Sequence, residues 1–230
     1  MARRRRGVSK RTDAKQRVKT SRGRSNSSTR WLQRQLNDSY VQEAKRVGYR
    51  SRAAFKLIDI NAKYRLLRSG MRVVDLGAAP GGWCQVVAQR IGTGGSIIAI
   101  DLLEFDAIPG VEAVVGDFND EEIRERVRHA VGDGVDIVLS DMGASATGHA
   151  STDHLRSAVL AEAALEFACE TLKNGGAMVV KFLQGAEEAS YVAMLRKRFA
   201  KVDRIKPPAS RDRSAEMYVV ARGFRVNEDQ

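Results

Sequence analysis

The stretch that decides the fold reads Val73-Val74-Asp75-Leu76-Gly77-Ala78-Ala79-Pro80-Gly81-Gly82-Trp83. Its apolar first half is typical of a buried parallel strand, and its small residues predict a turn that opens a helix. Glycine at positions 77, 81 and 82 lets a ligand approach the backbone, because no side chain stands in the way. The first amides of the helix then face that ligand. The stretch therefore predicts a binding site for a nucleotide-like molecule.

Strands and helices alternate on both sides of this stretch. The hydrophobic pattern predicts six further strands at 96–101, 111–115, 135–141, 177–182, 202–205 and 217–221. It predicts helices at 40–46, 52–64, 82–91, 121–131, 153–172 and 187–199. We expect Ser51 to be the N-cap of the second helix, and Gly175-Gly176 to end the long fifth helix.

This alternation predicts an α/β fold with a seven-stranded, mostly parallel sheet and helices on both faces. Parallel neighbours need a crossover helix, but only a loop separates the last two predicted strands. We therefore expect these two strands to pair antiparallel at one edge of the sheet.

The charge of the chain is concentrated at its start. The chain has 230 residues and a formal net charge of +11. Residues 1–30 contain twelve Lys or Arg and one acid, so residues 31–230 are neutral overall. This division predicts a disordered basic arm at 1–30 that binds RNA, followed by one folded domain at 31–230. A tail that only aids solubility is the alternative for the arm.

The sequence lacks the patterns of metal sites, disulfides and membrane spans. Cys84 and Cys169 form no CxxC pair, and His129, His149 and His154 have no metal-ligand spacing. No apolar run reaches the ~18 residues that a membrane span needs, and the basic start is not followed by the apolar segment of a secretory signal. We expect a cytoplasmic monomer without a metal ion.

Acidic residues mark the ends of the predicted strands. Asp75 lies in the first strand, Asp101 closes the second, Asp117-Phe118 follows the third and Asp141 closes the fourth. Asp101 could accept both ribose hydroxyls of an adenosine, and Asp117 with Phe118 is placed to meet its adenine. Acids at strand ends also cap helices, which is the alternative for each residue taken alone.

The glycine-rich turn by itself fits NAD as well as S-adenosylmethionine. Two details disfavour NAD: the turn lacks the G-x-G-x-x-G spacing, and Pro80 removes an amide donor that a pyrophosphate would use. S-adenosylmethionine carries no phosphate and has a positive sulfonium. A pocket lined by aspartates suits that cation, so S-adenosylmethionine is the predicted cofactor.

Four polar side chains fall where helices and strands open onto this pocket: Lys56, Asp141, Lys181 and Glu216. Lys181 is the most informative, because burying an unpaired ammonium inside a strand is costly. A ribose 2′-hydroxyl needs a base before it can attack a methyl group, and a lysine amine serves when its pKa approaches neutrality. A second cation lowers such a pKa and carboxylates raise it, so the four groups should titrate together.

With these residues in place, the chain resembles the FtsJ-type RNA 2′-O-ribose methyltransferases. Within that family it is most similar to the bacterial members that methylate a uridine ribose in 23S ribosomal RNA of the large subunit. The motifs that carry the resemblance lie at 51–57, 74–83, 140–142, 180–185 and 210–218. The resemblance implies the Rossmann-like class I methyltransferase fold and S-adenosylmethionine as cofactor.

The resemblance also implies roles for individual residues. It makes Lys56, Asp141, Lys181 and Glu216 a catalytic tetrad in which Lys181 accepts the proton. The cofactor contacts that it implies are Gly81, Trp83, Asp101, Asp117 and Asp141. The glycine turn and the strand ends add Gly77, Asp75 and Phe118 to the predicted cofactor site.

Three alternatives stay open from the sequence. The same chemistry could act on transfer RNA or on a messenger RNA cap, since the basic arm and the loop at 143–152 are features that bear on RNA choice. The chain could instead be a non-catalytic RNA-binding factor of ribosome assembly, which the arm alone would explain. A nicotinamide-dependent oxidoreductase is the third, supported only by the strand, turn and helix.

Overall fold

The structure is a computed structural model that describes residues 25, 29, 32–33, 35–144, 147–211 and 214–226. The predicted arm at 1–30 lies outside the described residues except for Ser25 and Thr29, so its disorder and its RNA binding stay predictions. From residue 35 onward, helices and strands alternate along the chain as the hydrophobic pattern predicts.

The elements agree closely with the predicted ones. The helices with defined bounds are α1 (Ser39–Val47), α2 (Ala53–Tyr64), α3 (Gly82–Ile91), α4 (Glu121–Val131), α5 (Ala150–Thr171) and α6 (Glu188–Arg198). The strands are β1 (Arg72–Leu76), β2 (Ser96–Asp101), β3 (Val111–Val115), β4 (Val135–Ser140), β5 (Leu172–Leu183), β6 (Phe199–Ile205) and β7 (Glu216–Phe224).

The strands form one seven-stranded sheet in the order β3-β2-β1-β4-β5-β7-β6. The first five strands pair in parallel, whereas β7 runs antiparallel to both β5 and β6. The predicted fold class and the antiparallel edge are therefore confirmed. The chain reverses its direction of strand addition between β1 and β4, and ligands bind beyond the carboxyl ends of the strands at such a point.

Helices cover both faces of the sheet because successive strand residues point to opposite sides. Val73 of β1 belongs to the core beneath α2 and α3, and Val74 belongs to the core beneath α4, α5 and α6. Both valines are almost completely buried, as expected for a parallel sheet covered on two sides. The covered sheet leaves only its edges and strand ends open for a ligand.

The prediction that Ser51 is an N-cap is wrong. Helix α2 begins at Ala53 with Arg52 at the N-cap position, and the side chain of Arg52 makes no capping hydrogen bond. The Ser51 hydroxyl is buried and has no hydrogen-bond partner among the described residues. It lies against the α-carbon of Gly82, where an added Cβ would come within 2.3 Å of Oγ. Tight packing on the glycine-rich turn that precedes Gly82 replaces capping at this position.

The prediction that Gly175-Gly176 ends the long helix is also wrong. Helix α5 already ends at Thr171, and β5 runs from Leu172 through both glycines. Val135 pairs with Leu172 and Ile137 pairs with Ala177, so residues 173–176 form a bulge against β4. Gly175 has a φ of 80°, a left-handed conformation that glycine adopts without strain. The glycines therefore shape a strand rather than stop a helix.

Candidate active site

The four polar side chains of the predicted tetrad meet at one end of the sheet. Asp141 directly follows β4, and Lys181 lies near the end of β5. Glu216 opens β7, and the antiparallel pairing places it opposite Leu183 at the end of β5. Lys56 reaches the same point from α2, which packs over this face of the sheet. Four distant stretches of sequence thus contribute to one cluster.

Two ion pairs organise the cluster. Lys181 Nζ lies 3.1 Å from Asp141 Oδ1 and also donates to the backbone carbonyl of Asp141. Lys56 Nζ forms an ion pair with Glu216 Oε1. The side chains of Lys56 and Lys181 are 12 % and 17 % exposed, so each ammonium is largely removed from water but paired. Paired burial of this kind is tolerated, whereas an unpaired buried ammonium is not.

Tyr218, which was not among the predicted site residues, joins the two ion pairs. Its hydroxyl lies 2.7 Å from Asp141 Oδ1, 2.9 Å from Glu216 Oε1 and 3.0 Å from Lys56 Nζ. Burial and the two nearby carboxylates raise the pKa of Tyr218 well above its usual value. The phenol is therefore neutral. The signal was present, because Tyr218 stands two residues after Glu216 and so shares its side of β7.

Asp141 is held in its charged form. Burial pushes the pKa of its carboxyl upward, but Lys181, Lys56 and the hydroxyl of Tyr218 outweigh burial and hold the pKa below its usual value. An opposite charge within a few ångströms favours the ionised form of a carboxyl in this way. Asp141 therefore stays a carboxylate at neutral pH.

A cleft of about 470 Å³ opens beside the cluster, beyond the ends of β1, β2 and β3 and against α5. It is lined by four of the predicted cofactor residues, namely Gly77, Asp101, Asp117 and Phe118. Its volume falls in the range of ligand-binding clefts, ~300–1,000 Å³. Half of the eight residues predicted for the cofactor site therefore line this cleft.

The two aspartates of the cleft are fixed by backbone amides. Asp101 accepts from Ala79 N at Oδ2 and from Leu103 N at Oδ1, each at 2.9 Å. Asp117 accepts from the backbone and side-chain amides of Asn119 at Oδ1, both at 2.9 Å. Carboxylate oxygens have more than one lone pair, so both residues can still accept hydrogen bonds from a ligand.

Gly81, Trp83, Asp75 and Asp141 lie outside the lining of the cleft as the described residues form it. Gly81 is the N-cap of α3 with a φ of 98°, and Trp83 follows in the first turn. The indole of Trp83 is buried and donates to the carbonyl of Ala53 at 2.8 Å. Any contact of Trp83 with a ligand would therefore come from its backbone.

Asp75 is completely buried beneath the turn. Its Oδ2 lies 3.1 Å from the thiol sulfur of Cys84, and its Oδ1 has no partner among the described residues. Burial raises the pKa of the Asp75 carboxyl to about 7, although the hydrogen bond from Cys84 opposes the rise. The structure therefore places Asp75 in the core below the site.

The segment that follows β4 joins the cleft to the tetrad. Met142 and Gly143 line the cleft directly after Asp141. A Cβ on Gly77 would lie 2.7 Å from Met142 N, so glycine is required where the turn touches this segment. A Cβ on Gly143 would lie 2.8 Å from Lys181 Nζ. The Lys181 amine therefore stands directly behind the wall of the cleft.

One wall of the cleft comes from α5 and was not foreseen from the sequence. Leu155, Arg156, Val159 and Leu160 recur one turn apart and face the cleft. Leu155 and Val159 are 57 % and 53 % exposed, which is unusual for large apolar side chains. Exposed apolar residues that flank a cleft indicate a surface for a ligand.

Within the described residues, no group of three or more His, Cys, Asp or Glu could hold a metal ion, and no helix could span a membrane.

Comparison with known proteins identifies the family. The model of the FtsJ-like methyltransferases matches residues 49–224. The chain belongs to the FtsJ-like methyltransferase family. The matched residues include the whole tetrad and every predicted cofactor residue. The predicted family is confirmed, and membership excludes the nicotinamide-dependent alternative.

Curated relatives cover nearly the whole chain. Ribosomal RNA large subunit methyltransferase E of Paramagnetospirillum magneticum is 53% identical over 217 residues, covering 92% of this chain and 89% of that protein. The protein of the same name from Xanthobacter autotrophicus is 55% identical over 219 residues, covering 94% of this chain and 86% of that protein.

Two solved structures show the same fold. A Plasmodium falciparum protein described as a ribosomal RNA methyltransferase matches with a TM-score of 0.70 and 30% identity, covering 76% of this chain and 98% of that chain. Fibrillarin of Aeropyrum pernix, solved with bound S-adenosyl-L-methionine, has a TM-score of 0.51 and 20% identity over 75% of both chains.

These findings establish the class of enzyme. The chain is a methyltransferase, and S-adenosylmethionine is its methyl donor. The cleft agrees with this donor on its own chemistry, because Asp101 and Asp117 offer carboxylates to hydroxyl and amino groups and favour a cation. Apolar side chains from α5 and Phe118 supply apolar surface against which a purine can pack.

Proposed function

We propose that the chain transfers a methyl group from S-adenosylmethionine to the 2′-hydroxyl of a uridine ribose in 23S ribosomal RNA. The relatives named ribosomal RNA large subunit methyltransferase E, which are about half identical to this chain, support the target. One observation carries the chemistry: the Lys181 amine stands at the wall of the cofactor cleft, next to Gly143.

Lys181 is the proposed general base. When bound, S-adenosylmethionine supplies an electrophilic methyl group, whose bond to sulfur breaks with both electrons going to sulfur. Lys181 acts as the neutral amine, after its ammonium has released one proton to solvent. Its Nζ then takes the proton of the 2′-hydroxyl as the ribose oxygen bonds to the methyl carbon. Contacts of Nζ with Oδ1 and the carbonyl of Asp141 fix its position, which matters because proton transfer requires hydrogen-bond geometry.

The other members of the cluster have proposed supporting roles. Asp141 stabilises the lysine that has gained the proton, since it lies 3.1 Å away and stays charged. Lys56 and Glu216 neutralise one another and hold the Tyr218 hydroxyl against Asp141. We propose that Gly81 and Trp83 contact the cofactor through their backbone at the start of α3.

The target can be tested by mapping methylated riboses. Large subunits from cells without the gene are incubated with the enzyme and the cofactor, and digests of their RNA are analysed by mass spectrometry. One new 2′-O-methyluridine in 23S RNA is expected. A methyl group that appears only on transfer RNA or on a cap would contradict the proposed target while preserving the chemistry.

The basic arm is proposed to bind RNA phosphates. Eleven of its twelve Lys and Arg lie within residues 1–24, so a chain that starts at residue 25 loses almost all of them. Each phosphate contact steepens the salt dependence of binding by roughly one unit of slope. We expect the shortened chain to bind ribosomal RNA with a flatter salt dependence and unchanged cofactor affinity. An unchanged salt slope would show that the arm does not touch phosphate.

We also propose that the enzyme acts as a monomer in the cytoplasm. The curated relatives are bacterial, and bacteria assemble ribosomal RNA into subunits in the cytoplasm. All residues of the tetrad and the cleft come from one chain, so no second copy is needed to complete the site. Light scattering during gel filtration would show the 25.3 kDa of one chain.

A further inference from the structure

The segment 48–51 precedes α2. It lies against the start of α3 and against the glycine-rich turn at 77–81, which we call the cofactor turn. The side-chain amide of Gln85 on α3 accepts from Arg50 N at 2.8 Å and donates to the carbonyl of Gly48 at 3.0 Å. The hydroxyl of Tyr49 donates to Gln89 on the same helix. This segment is therefore attached to α3 along its length.

The guanidinium of Arg50 reaches past α3 and binds three backbone carbonyls. Its NH1 donates to Pro80 at 3.3 Å and to Asp106 at 2.5 Å, and its NH2 donates to Ala107 at 3.0 Å. The guanidinium also lies 6.0 Å from the centre of the Phe105 ring. Pro80 belongs to the cofactor turn, and the other partners belong to the loop that follows β2.

The turn and the loop that Arg50 contacts each adjoin residues of the predicted cofactor site. The turn bears Gly81, and the loop follows directly after Asp101, which lines the cleft. A Cβ on Gly81 would meet Ile108 at 2.8 Å, Arg50 NH1 at 2.9 Å and Phe105 at 3.3 Å. The turn, the loop and the guanidinium are therefore in direct contact.

Arg50 makes these contacts without an acidic partner. No carboxylate of a residue in the described ranges lies within 4.0 Å of it, whereas Arg46 nearby is paired with Glu43. A guanidinium presents several donors in a fixed planar fork, and a lysine ammonium cannot reach three divergent carbonyls in the same way. The geometry of the fork, rather than an ion pair, joins the turn to the loop.

We propose that Arg50 is a positioning residue for S-adenosylmethionine, because it fixes the turn before α3 against the loop after β2. It acts on the cofactor only through Pro80, Asp106 and Ala107. This proposal concerns the cofactor, which family membership establishes, and does not depend on the RNA target. The proposed role of Arg50 would therefore remain valid if the proposed RNA target were wrong.

The test compares three variants of the full chain by calorimetric titration with S-adenosylmethionine. Arg50→Ala removes all three hydrogen bonds, and we expect the Kd to rise about 10-fold or more. Arg50→Lys keeps the charge but loses the fork, and it should weaken binding by about the same factor. Arg46→Ala is the control, because it removes an exposed arginine from the neighbouring helix and should leave the Kd unchanged.

Two further readouts separate positioning from simple loss of fold. At saturating cofactor, the kcat of Arg50→Lys should stay within about twofold of the parent while its KM for the cofactor rises. Its affinity for ribosomal RNA without cofactor should not change. Parental cofactor affinity in Arg50→Lys would overturn the proposal. A loss confined to RNA binding would also overturn it, because Arg50 would then contact the substrate.

Discussion

Asp75 lies in β1 and Asp141 directly follows the neighbouring strand β4, and the pKa values of the two aspartates are shifted in opposite directions. Both are removed from water: Asp75 is completely buried, and only 17 % of the Asp141 side chain is exposed. Within the part of the chain that the structure describes, the Cys84 thiol is the only hydrogen-bond partner of the Asp75 carboxyl, and burial raises the pKa of Asp75 to about 7. Burial also acts to raise the pKa of Asp141, but the charges of Lys181 and Lys56 outweigh burial and lower the pKa. The partners of a buried acid, rather than its depth, decide whether it carries charge.

This difference separates the core below the site from the chemistry above it. The region around Asp75 supports the cofactor turn and needs no charge. The region around Asp141 holds the two lysines together and needs its charge. Substitutions that remove the carboxylate charge without changing the shape of the side chain should therefore have opposite consequences in the two regions.

Among the substitutions that test this difference between the two regions, the largest effect is expected for Asp141→Asn. The amide cannot neutralise Lys181, so the lysine loses the partner that fixes it and that stabilises its protonated form. We expect the rate of methyl transfer in a single turnover to fall about 10³-fold. Asp136→Asn is the matched control, because Asp136 lies at the other end of β4, the strand that Asp141 follows, and accepts from Arg72 N. Equal losses in both variants would contradict a special role for Asp141.

A smaller effect is expected for Tyr218→Phe. The ring stays in place against Trp83, 5.7 Å between centroids, but the hydroxyl that joins Asp141 to Glu216 is lost. We expect the rate to fall about 10-fold, which corresponds to one hydrogen bond to a charged group. Tyr191→Phe also loses a buried hydroxyl, bonded to Ala161, on the opposite face of the sheet. It should lower stability without lowering the rate.

The smallest effect on the reaction is expected for Asp75→Asn, and it should appear in stability instead. The folded pKa of about 7 lies above the ordinary carboxyl value, so the folded state holds this proton more tightly. Ionisation of Asp75 therefore lowers the free energy of unfolding. This loss of stability is absent below about pH 4, grows between about pH 4 and 7, and is constant above that.

The amide removes this cost. The melting temperature of Asp75→Asn should exceed that of the parent by about 5 °C at pH 8. It should match the parent near pH 4. A difference that is the same at both pH values would show that Asp75 is not the titrating group.

Local signals in the sequence predicted most of the fold. The bounds of α3 and β2 were predicted to the residue, because glycine turns and apolar runs are encoded by neighbours in the chain. The bulge at Gly175 was missed, since it depends on the pairing of β5 with β4. Ser51 was misassigned for the same reason: its packing partner, Gly82, is remote in sequence.

Some residues of the site could be predicted from the sequence and others could not. The tetrad could be named because four motifs resemble those of a family, and the structure brings their side chains together. The α5 wall at Leu155 and Val159 was missed, because only the folded chain places it at the cleft. Tyr218 was also missed, although its spacing of two residues from Glu216 predicts that the two side chains share one side of β7. Asp75 was assigned to the cofactor by its place on a strand, and only three-dimensional packing showed its burial.

The most direct test of Lys181 as the base is a paired measurement on Lys181→Ala. Calorimetry gives its affinity for S-adenosylmethionine, and a single turnover on under-methylated large subunits gives its rate of methyl transfer. We predict a cofactor Kd within about threefold of the parent and a rate lowered about 10³-fold or more. Methyl transfer near the parental rate, with cofactor bound, would contradict the role of Lys181.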